Sequence, residues 1–257
     1  MNQETLFKIV KNCSNKITDN DLNNSSSIPF EHIYVDNFFD LNFANQVLNS
    51  FPHLKSNQWE KTNDKNIEVK MRSKWSSEFD IPDHIIDAVR IMNSAPFLKA
   101  LSKALHIPKL IPDPYFTGGG LNVTVSGGLL DVHIDGNYHD ATGLHRRVNA
   151  ILYLNPGWKE SWGGEFGLYN NSGDRLVKKI APIHNRFMAF DTNDYSYHGL
   201  PDPLNFPSGH ARRSIILYYY TKDPRPNNKT AIKEPHSALW KKKGLTDKRG
   251  NKTRNFH

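Results

Sequence analysis

LLDVHIDG, residues 129–136, is a short apolar run that stops at a glycine, and it reads as a β-strand. Side chains alternate along a strand, so His133 and Asp135 fall on one face, two residues apart. The chain keeps the same texture around it. GLNVTVS (120–126) comes before. RRVNAILYLN (146–155), GEFGLYN (164–170), RLVKKIAP (175–182), RFMAFDT (186–192), YSYHGL (195–200) and RRSIILYYYT (212–221) come after, separated by Gly, Pro and Asn.

Eight short strands at this density predict a double-stranded β-helix, a jelly roll of the cupin-like kind. Upstream the texture is helical, which predicts a supporting N-terminal helical layer and an α+β, mainly β, class. The first dozen residues read as a short helix and DNDLNNSSS (19–27) as a linker. HIYVDNFF (32–39) reads as a strand. DLNFANQVLNSF (40–51) reads as a helix with Asp40 as its N-cap. Residues 81–105 have apolar spacing for two helices, broken at Asn93-Ser94-Ala95-Pro96. Residues 55–80 are polar and mixed, with Trp59 and Trp75, and are left unassigned. AIKEPHSALWKKKG (231–244) has room for one short helix. The expected organisation is a polar segment over 1–28, one domain over 29–222 with its jelly-roll core from about 108, and a tail over 223–257.

The net charge of +7 is concentrated in that tail, where ten Lys/Arg stand against three Asp/Glu; the rest of the chain is balanced. A basic tail suits nucleic acid or acidic partners, or is a solubilising extension. The single cysteine, Cys13, excludes an internal disulfide and favours a reducing compartment. The start has no apolar run of signal-peptide length, and no stretch approaches the ~20 apolar residues of a membrane span. A cytoplasmic location with no membrane partner is the expectation.

Two imidazoles and one carboxylate are the ligand set of a non-haem iron(II) site with open coordination positions. His133 and Asp135 supply two of these, and His198 in YSYHGL is the candidate third. His-x-Asp alone also fits an ordinary core histidine. The order strengthens the metal assignment: His-x-Asp on a strand, a later His, then Arg-x-Ser on another strand at Arg212 and Ser214.

From about Ile33 to Thr221 the chain resembles the prolyl 4-hydroxylase-like iron(II)/2-oxoglutarate dioxygenases. The resemblance is carried by VDNFF, GGLLDVHID, RRVNAILYLNPGW, WGGEFGLYN, YHGLPDP and RRSIILYYYT. It implies Fe(II) on His133, Asp135 and His198, and 2-oxoglutarate with its distal carboxylate on Arg212, supported by Ser214. A guanidinium suits that role because its planar fork holds a carboxylate through two parallel hydrogen bonds. Tyr153 matches a tyrosine that contacts the co-substrate, and Asn149 shares its face. Thr124 stands where prolyl hydroxylases usually carry tyrosine. The implied chemistry is oxidative decarboxylation of 2-oxoglutarate by O2, giving succinate and CO2, coupled to hydroxylation of an unactivated C–H bond. Ascorbate is the implied reductant.

The implied substrate is peptidyl proline or another protein side chain. The alternatives are a small molecule such as a free amino acid or sugar-like metabolite, then nucleic-acid demethylation through the basic tail, then a cupin-like binding module without catalysis. Tyr218, six residues after Arg212, replaces the second arginine of the nucleic-acid-repair branch. It shares a face with Arg212, which makes it a candidate pocket residue. Trp158, Trp162 and Glu165 are candidates for substrate contact or simple packing. The insert LPDPLNFPSGHA (200–211) is a candidate lid or a plain connection. His139, His145, His184 and His210 read as a second metal site or, in preference, as structural histidines.

Overall fold

Strands buried on both faces read as nearly continuous apolar runs, and two central strands of this protein are of that kind. In the computed structural model, which describes residues 1–19, 25–226 and 232–253, four helices pack on a mainly β body. The helices are α1 (Gln3–Asp19), α2 (Leu41–Asn49), α3 (Ile85–Met92) and α4 (Ala95–Ala104). The strands are β1 (Ser25–Ser26), β2 (His32–Val35), β3 (Trp59–Asp64), β4 (Glu68–Ser73), β5 (Ile111–Pro112), β6 (Gly120–Thr124), β7 (Leu129–Ile134), β8 (His145–Tyr153), β9 (Phe166–Tyr169), β10 (Leu176–Ile180), β11 (Arg186–Asp191), β12 (His198–Leu200), β13 (Arg212–Thr221) and β14 (Leu239–Trp240). All pairings are antiparallel, in the order β1-β2-β11-β8-β13-β6-β4-β7-β12-β9-β10, with β14 on β7, β3 on β4 and β5 on β13.

The sheet curls into a jelly roll. Phe190 of β11 and Phe166 of β9 lie near opposite ends of the strand order, yet their ring centroids are 5.7 Å apart. Alternation divides the central strands between two cores. Val148, Ala150 and Leu152 of β8, with Ile215, Leu217 and Tyr219 of β13, pack outward under the helices. Ile151 and Tyr153 point into the roll with Phe166, Leu168, Met188 and Phe190.

The predicted Asp40 cap is present, its side chain accepting from Asn42 N at 2.9 Å, and the predicted break at 93–96 separates α3 from α4, with Pro96 in the first turn of α4. Helix α1 runs longer than the predicted dozen residues because Val10, Cys13 and Ile17 continue one buried face into the main core. Part of the predicted 19–27 linker, residues 20–24, lies outside the described residues; Ser25–Ser26 form β1.

Two regions differ from expectation. The unassigned 55–80 segment contains the β3–β4 hairpin, and β4 bridges β6 and β7. Strand β3 is polar after Trp59, and the apolar alternation around β4 is only the short Ile67, Val69, Met71 series between charged residues. In the segment expected to be a tail, Leu239–Trp240 adds a strand to β7, and Lys241–Lys243 form only a single 3-10 turn where a short helix was predicted.

Candidate active site

The antiparallel register of β12 on β7 sets His198 directly opposite His133. Asp135 follows immediately after β7. The three ligand atoms lie within 4.8 Å of one another, and they form the only such His/Cys/Asp/Glu group among the described residues. His133 Nε2 is 3.7 Å from Asp135 Oδ1, and His198 Nε2 is 3.8 Å from Asp135 Oδ2. All three side chains are buried.

Each imidazole is oriented by the carbonyl two residues before it on its own strand. His133 Nδ1 lies 2.8 Å from Asp131 O, and His198 Nδ1 lies 2.8 Å from Ser196 O. A carbonyl can only accept, so both rings carry their proton on Nδ1 and leave Nε2 as a free electron pair. Burial pushes His133 down to about 3 and lowers His198 as well, which keeps both rings neutral. Burial alone would raise the Asp135 carboxyl. The neighbouring His198, Arg146 and His133, with a 3.0 Å hydrogen bond from Asn149 Nδ2, hold it below the usual range. Two neutral nitrogens and one carboxylate at this spacing fit a divalent metal.

A second incomplete site lies along β13. Arg212 is paired with Thr124 of β6, Ser214 with Tyr153 of β8, and Tyr218 with Asn149. Arg212 is buried, and no carboxylate lies within ion-pairing distance of it among the described residues. Its Nε donates to Gly164 O at 2.8 Å, and its guanidinium carbon lies 4.9 Å from the Tyr153 ring centre. Burial lowers its pKa, while Tyr153, with which it shares a hydrogen bond, partly offsets that. Burial also pushes the Tyr153 phenol up to about 12, and its hydroxyl donates to Met188 Sδ at 3.3 Å. The buried Ser214 Oγ and Asn149 Oδ1 have no hydrogen-bond partner among the described residues. A buried, unneutralised guanidinium beside unsatisfied polar atoms is costly unless an anion completes it. Thr124 is buried beside Arg212 in register and makes no polar contact in this group.

The other candidates are mostly occupied elsewhere. Trp158 Nε1 donates to Gly163 O, and Trp162 packs on Phe206 and His210. The insert is tied down through Leu204, which exchanges backbone hydrogen bonds with Gly127 and Gly128. Glu165 lies 3.6 Å from Lys179. His139 pairs with Asp113 at 3.0 Å, His184 with Asn45 at 2.9 Å, and His145 meets the Tyr138 ring edge-on. Tyr218 does reach the site, stacked under the Arg146 guanidinium at 3.8 Å.

Arg146 itself was missed from the sequence. Its Nη1 is 3.8 Å from Asp135 Oδ1, and its buried Nε has no hydrogen-bond partner among the described residues. Strict alternation from Asn149 would have put Arg147 on this face. The register slips between Tyr219 and Tyr220, so Arg146 pairs with Tyr220 and Arg147 turns toward Asp191. Trp240 was missed as well; it stacks on His133 with centroids 4.5 Å apart.

Known proteins share part of this sequence and its fold. The 2OG-Fe(II) oxygenase superfamily profile matches residues 119–220. A curated relative, Prolyl 3-hydroxylase OGFOD1 of Xenopus laevis, is 29% identical over 106 residues, covering 38% of this chain and 20% of the relative. The chain thus spans about a fifth of that protein's length. A prolyl-4-hydroxylase from Pseudomonas putida shares the fold with a TM-score of 0.57 at 13% identity, over 82% of this chain and 99% of that one. A prolyl hydroxylase from Trichoplax adhaerens, solved with a hypoxia inducible factor oxygen degradation domain peptide fragment, gives 0.54 at 20% identity, over 86% and 94%.

Proposed function

We propose, on the premise that residues 119–220 belong to the 2OG-Fe(II) oxygenase superfamily, that this protein is a prolyl hydroxylase-like 2-oxoglutarate-dependent dioxygenase acting on a prolyl residue of a protein or peptide. The observation that carries this reading is the pairing of two incomplete sites inside one roll. One is a cluster of two neutral imidazoles and one ionised carboxylate, and the other is a buried arginine with no carboxylate partner among the described residues. A dicarboxylate that chelates a metal at one end and meets a guanidinium at the other completes both.

In this reading His133, Asp135 and His198 would hold Fe(II). The chemistry supplied when iron is bound is O2 activation coupled to loss of succinate and CO2, with one oxygen atom inserted into a substrate C–H bond. The remaining work belongs to the chain. Arg212 neutralises the distal carboxylate through its planar fork, and the Ser214 hydroxyl donates to the same group. Tyr153 walls that end. Asn149 fixes the carboxylate plane of Asp135 through its 3.0 Å hydrogen bond. Phe166 and Phe190 pack against the His198 ring at 5.2 and 4.8 Å and exclude water from that side. The prolyl substrate is supported by what the named relatives act on or were solved with.

The test is an anaerobic titration of the Fe(II) protein with 2-oxoglutarate, followed by aerobic incubation with proline-containing peptides. A weak visible charge-transfer band, then a peptide heavier by one oxygen atom, is expected. Absence of the band would defeat the dioxygenase assignment. A band with co-substrate turnover but hydroxylation only of a small molecule would defeat the peptide assignment.

A further inference from the structure

The segment after β13 is built into the metal site. Strand β14 pairs with β7 so that Trp240 stands opposite His133 and Leu239 opposite Ile134. The Trp240 indole is buried and lies nearly parallel to the His133 imidazole, 26° between planes and 4.5 Å between centroids. His198 meets the His133 ring as well, at 4.3 Å and 55°. Indole, Asp131 carbonyl and His198 together restrict both torsions of the His133 side chain.

The indole is itself well held. Trp240 N donates to Thr246 O at 3.0 Å, and Trp240 O accepts from Leu245 N at 2.9 Å. Lys242 N donates to Asp131 Oδ2 at 3.0 Å, on the residue whose carbonyl anchors His133. Upstream, His236 N donates to Asn137 Oδ1 at 2.8 Å, and Asn137 Nδ2 donates to Glu234 O at 3.0 Å. A side chain at Gly136 would meet His236 O at 2.8 Å, so that glycine is what lets the segment lie so close. The lysines face their own body: Lys243 pairs with Asp64 at 3.5 Å, Lys248 with Glu68, and Lys241 Nζ donates to Ser172 O at 2.6 Å.

We propose that Trp240 is a positioning residue for the metal site, and that residues 232–253 are a basic strap whose docking on the β3–β4 hairpin and β7 brings that indole onto His133. The proposal rests on the reading that His133, Asp135 and His198 bind a divalent metal. Removing the hydrogen-bonded partner of a metal-ligating histidine typically costs about 10–100-fold in affinity, and the stacked indole restrains the same ring.

The test uses the full chain and cobalt(II) alone, titrated by visible absorption, with melting temperature recorded for each variant. Trp240→Phe keeps a flat ring and is expected to bind within about twofold of wild type. Trp240→Leu keeps apolar bulk without the ring, and is expected to bind at least about tenfold more weakly with an altered ligand-field band. Leu239→Ala trims the same strand on its other face, in the cluster with Val132, Ile134 and Tyr197. It is expected to lower the melting temperature while leaving the band unchanged. Wild-type affinity in a folded Trp240→Leu protein would overturn the proposal. So would equal loss in all three variants, which would assign the effect to docking of the strap and not to the ring. If wild type takes up no cobalt, the metal-site reading fails first and takes this one with it.

Discussion

His198 faces His133 across the β12–β7 pair although the two are far apart in the chain. The metal site is therefore a product of sheet register, and it exists only when β12 is paired with β7. A metal that binds the folded chain alone stabilises it, by about 2.7 kcal/mol at a hundredfold excess over Kd. Adding Fe(II) anaerobically is expected to raise the wild-type melting temperature. His198→Ala should show no such rise, because one of three ligands is gone while Ser196 and the strand pairing stay. An equal rise in both proteins would mean that metal binds elsewhere.

Arg212 is expected to act on the co-substrate and not on the metal. Arg212→Lys keeps a positive charge but loses the planar pair of donors. Hydrogen bonds to charged groups are worth about 1.5–3 kcal/mol, so the 2-oxoglutarate concentration needed for half-saturation should rise by roughly 10–100-fold. Cobalt(II) affinity in the same variant should be unchanged. A matching loss of both would place the arginine in a general structural role.

Gly164 accepts from Arg212 Nε and sits at φ +85°. A Cβ there would lie 3.1 Å from Arg212 Cδ and 3.3 Å from Leu204 Cδ2. Gly164→Ala thus combines backbone strain with pressure on the guanidinium stem. It should weaken 2-oxoglutarate binding and leave metal binding intact, as measured by the same two titrations. Unchanged co-substrate affinity would show that the arginine can shift without cost.

The strands from 120 to 221 were legible because their apolar runs are punctuated by Gly, Pro and Asn, and His133 and Asp135 because they stand two apart on one of them. Arg212 and Ser214 were singled out through the Arg-x-Ser of the family that the chain resembles. Other parts depend on contacts that no local pattern carries. Arg146 reaches the site through a register slip opposite Tyr219 and Tyr220. The β3–β4 hairpin is held by the partners of β4 on β6 and β7, β3 is polar after Trp59, and the apolar alternation around β4 is only three residues long. Strand β14 is two residues long, too short for any period, and its meaning comes from lying on β7.

His32, away from the metal triad, should govern part of the acid sensitivity. Burial pushes it down to about 4, and the Lys178 charge works in the same direction against the Phe30 carbonyl. Nδ1 lies 2.8 Å from that carbonyl, and Nε2 3.1 Å from Lys178 Nζ. The unfolded chain takes up this proton near pH 6.5, whereas the folded chain resists until about 4. The contribution is fully present above 6.5 and is lost as pH falls toward 4, by at most about 1.4 kcal/mol per pH unit. Urea unfolding of the metal-free protein at pH 7.5 and 4.5 should show a smaller loss for His32→Gln than for wild type. Equal losses would show that this imidazole does not titrate on unfolding.

Gly199 offers the sharpest test of a site made by register. A Cβ at this position would lie 2.9 Å from both Asp131 O and Leu130 O, backbone atoms of the neighbouring strand that cannot rotate away. Gly199→Ala must push β12 off β7, and His198 is the adjacent residue. Overpacking of this kind costs about 1–3 kcal/mol, so the protein should still fold in the cold with a lower melting temperature. Its cobalt(II) affinity should fall much further than its stability implies, because the two imidazoles separate. Gly167→Ala, on the strand at the other side of β12, is the control. There the closest atoms are the side-chain ends of Leu176 and Tyr169 at 3.0 Å, which can yield, and the one backbone contact, Gly199 O at 3.2 Å, is milder than the pair at 2.9 Å. Metal binding should survive in that variant. If Gly199→Ala binds metal as tightly as Gly167→Ala, the β7–β12 spacing does not set the site.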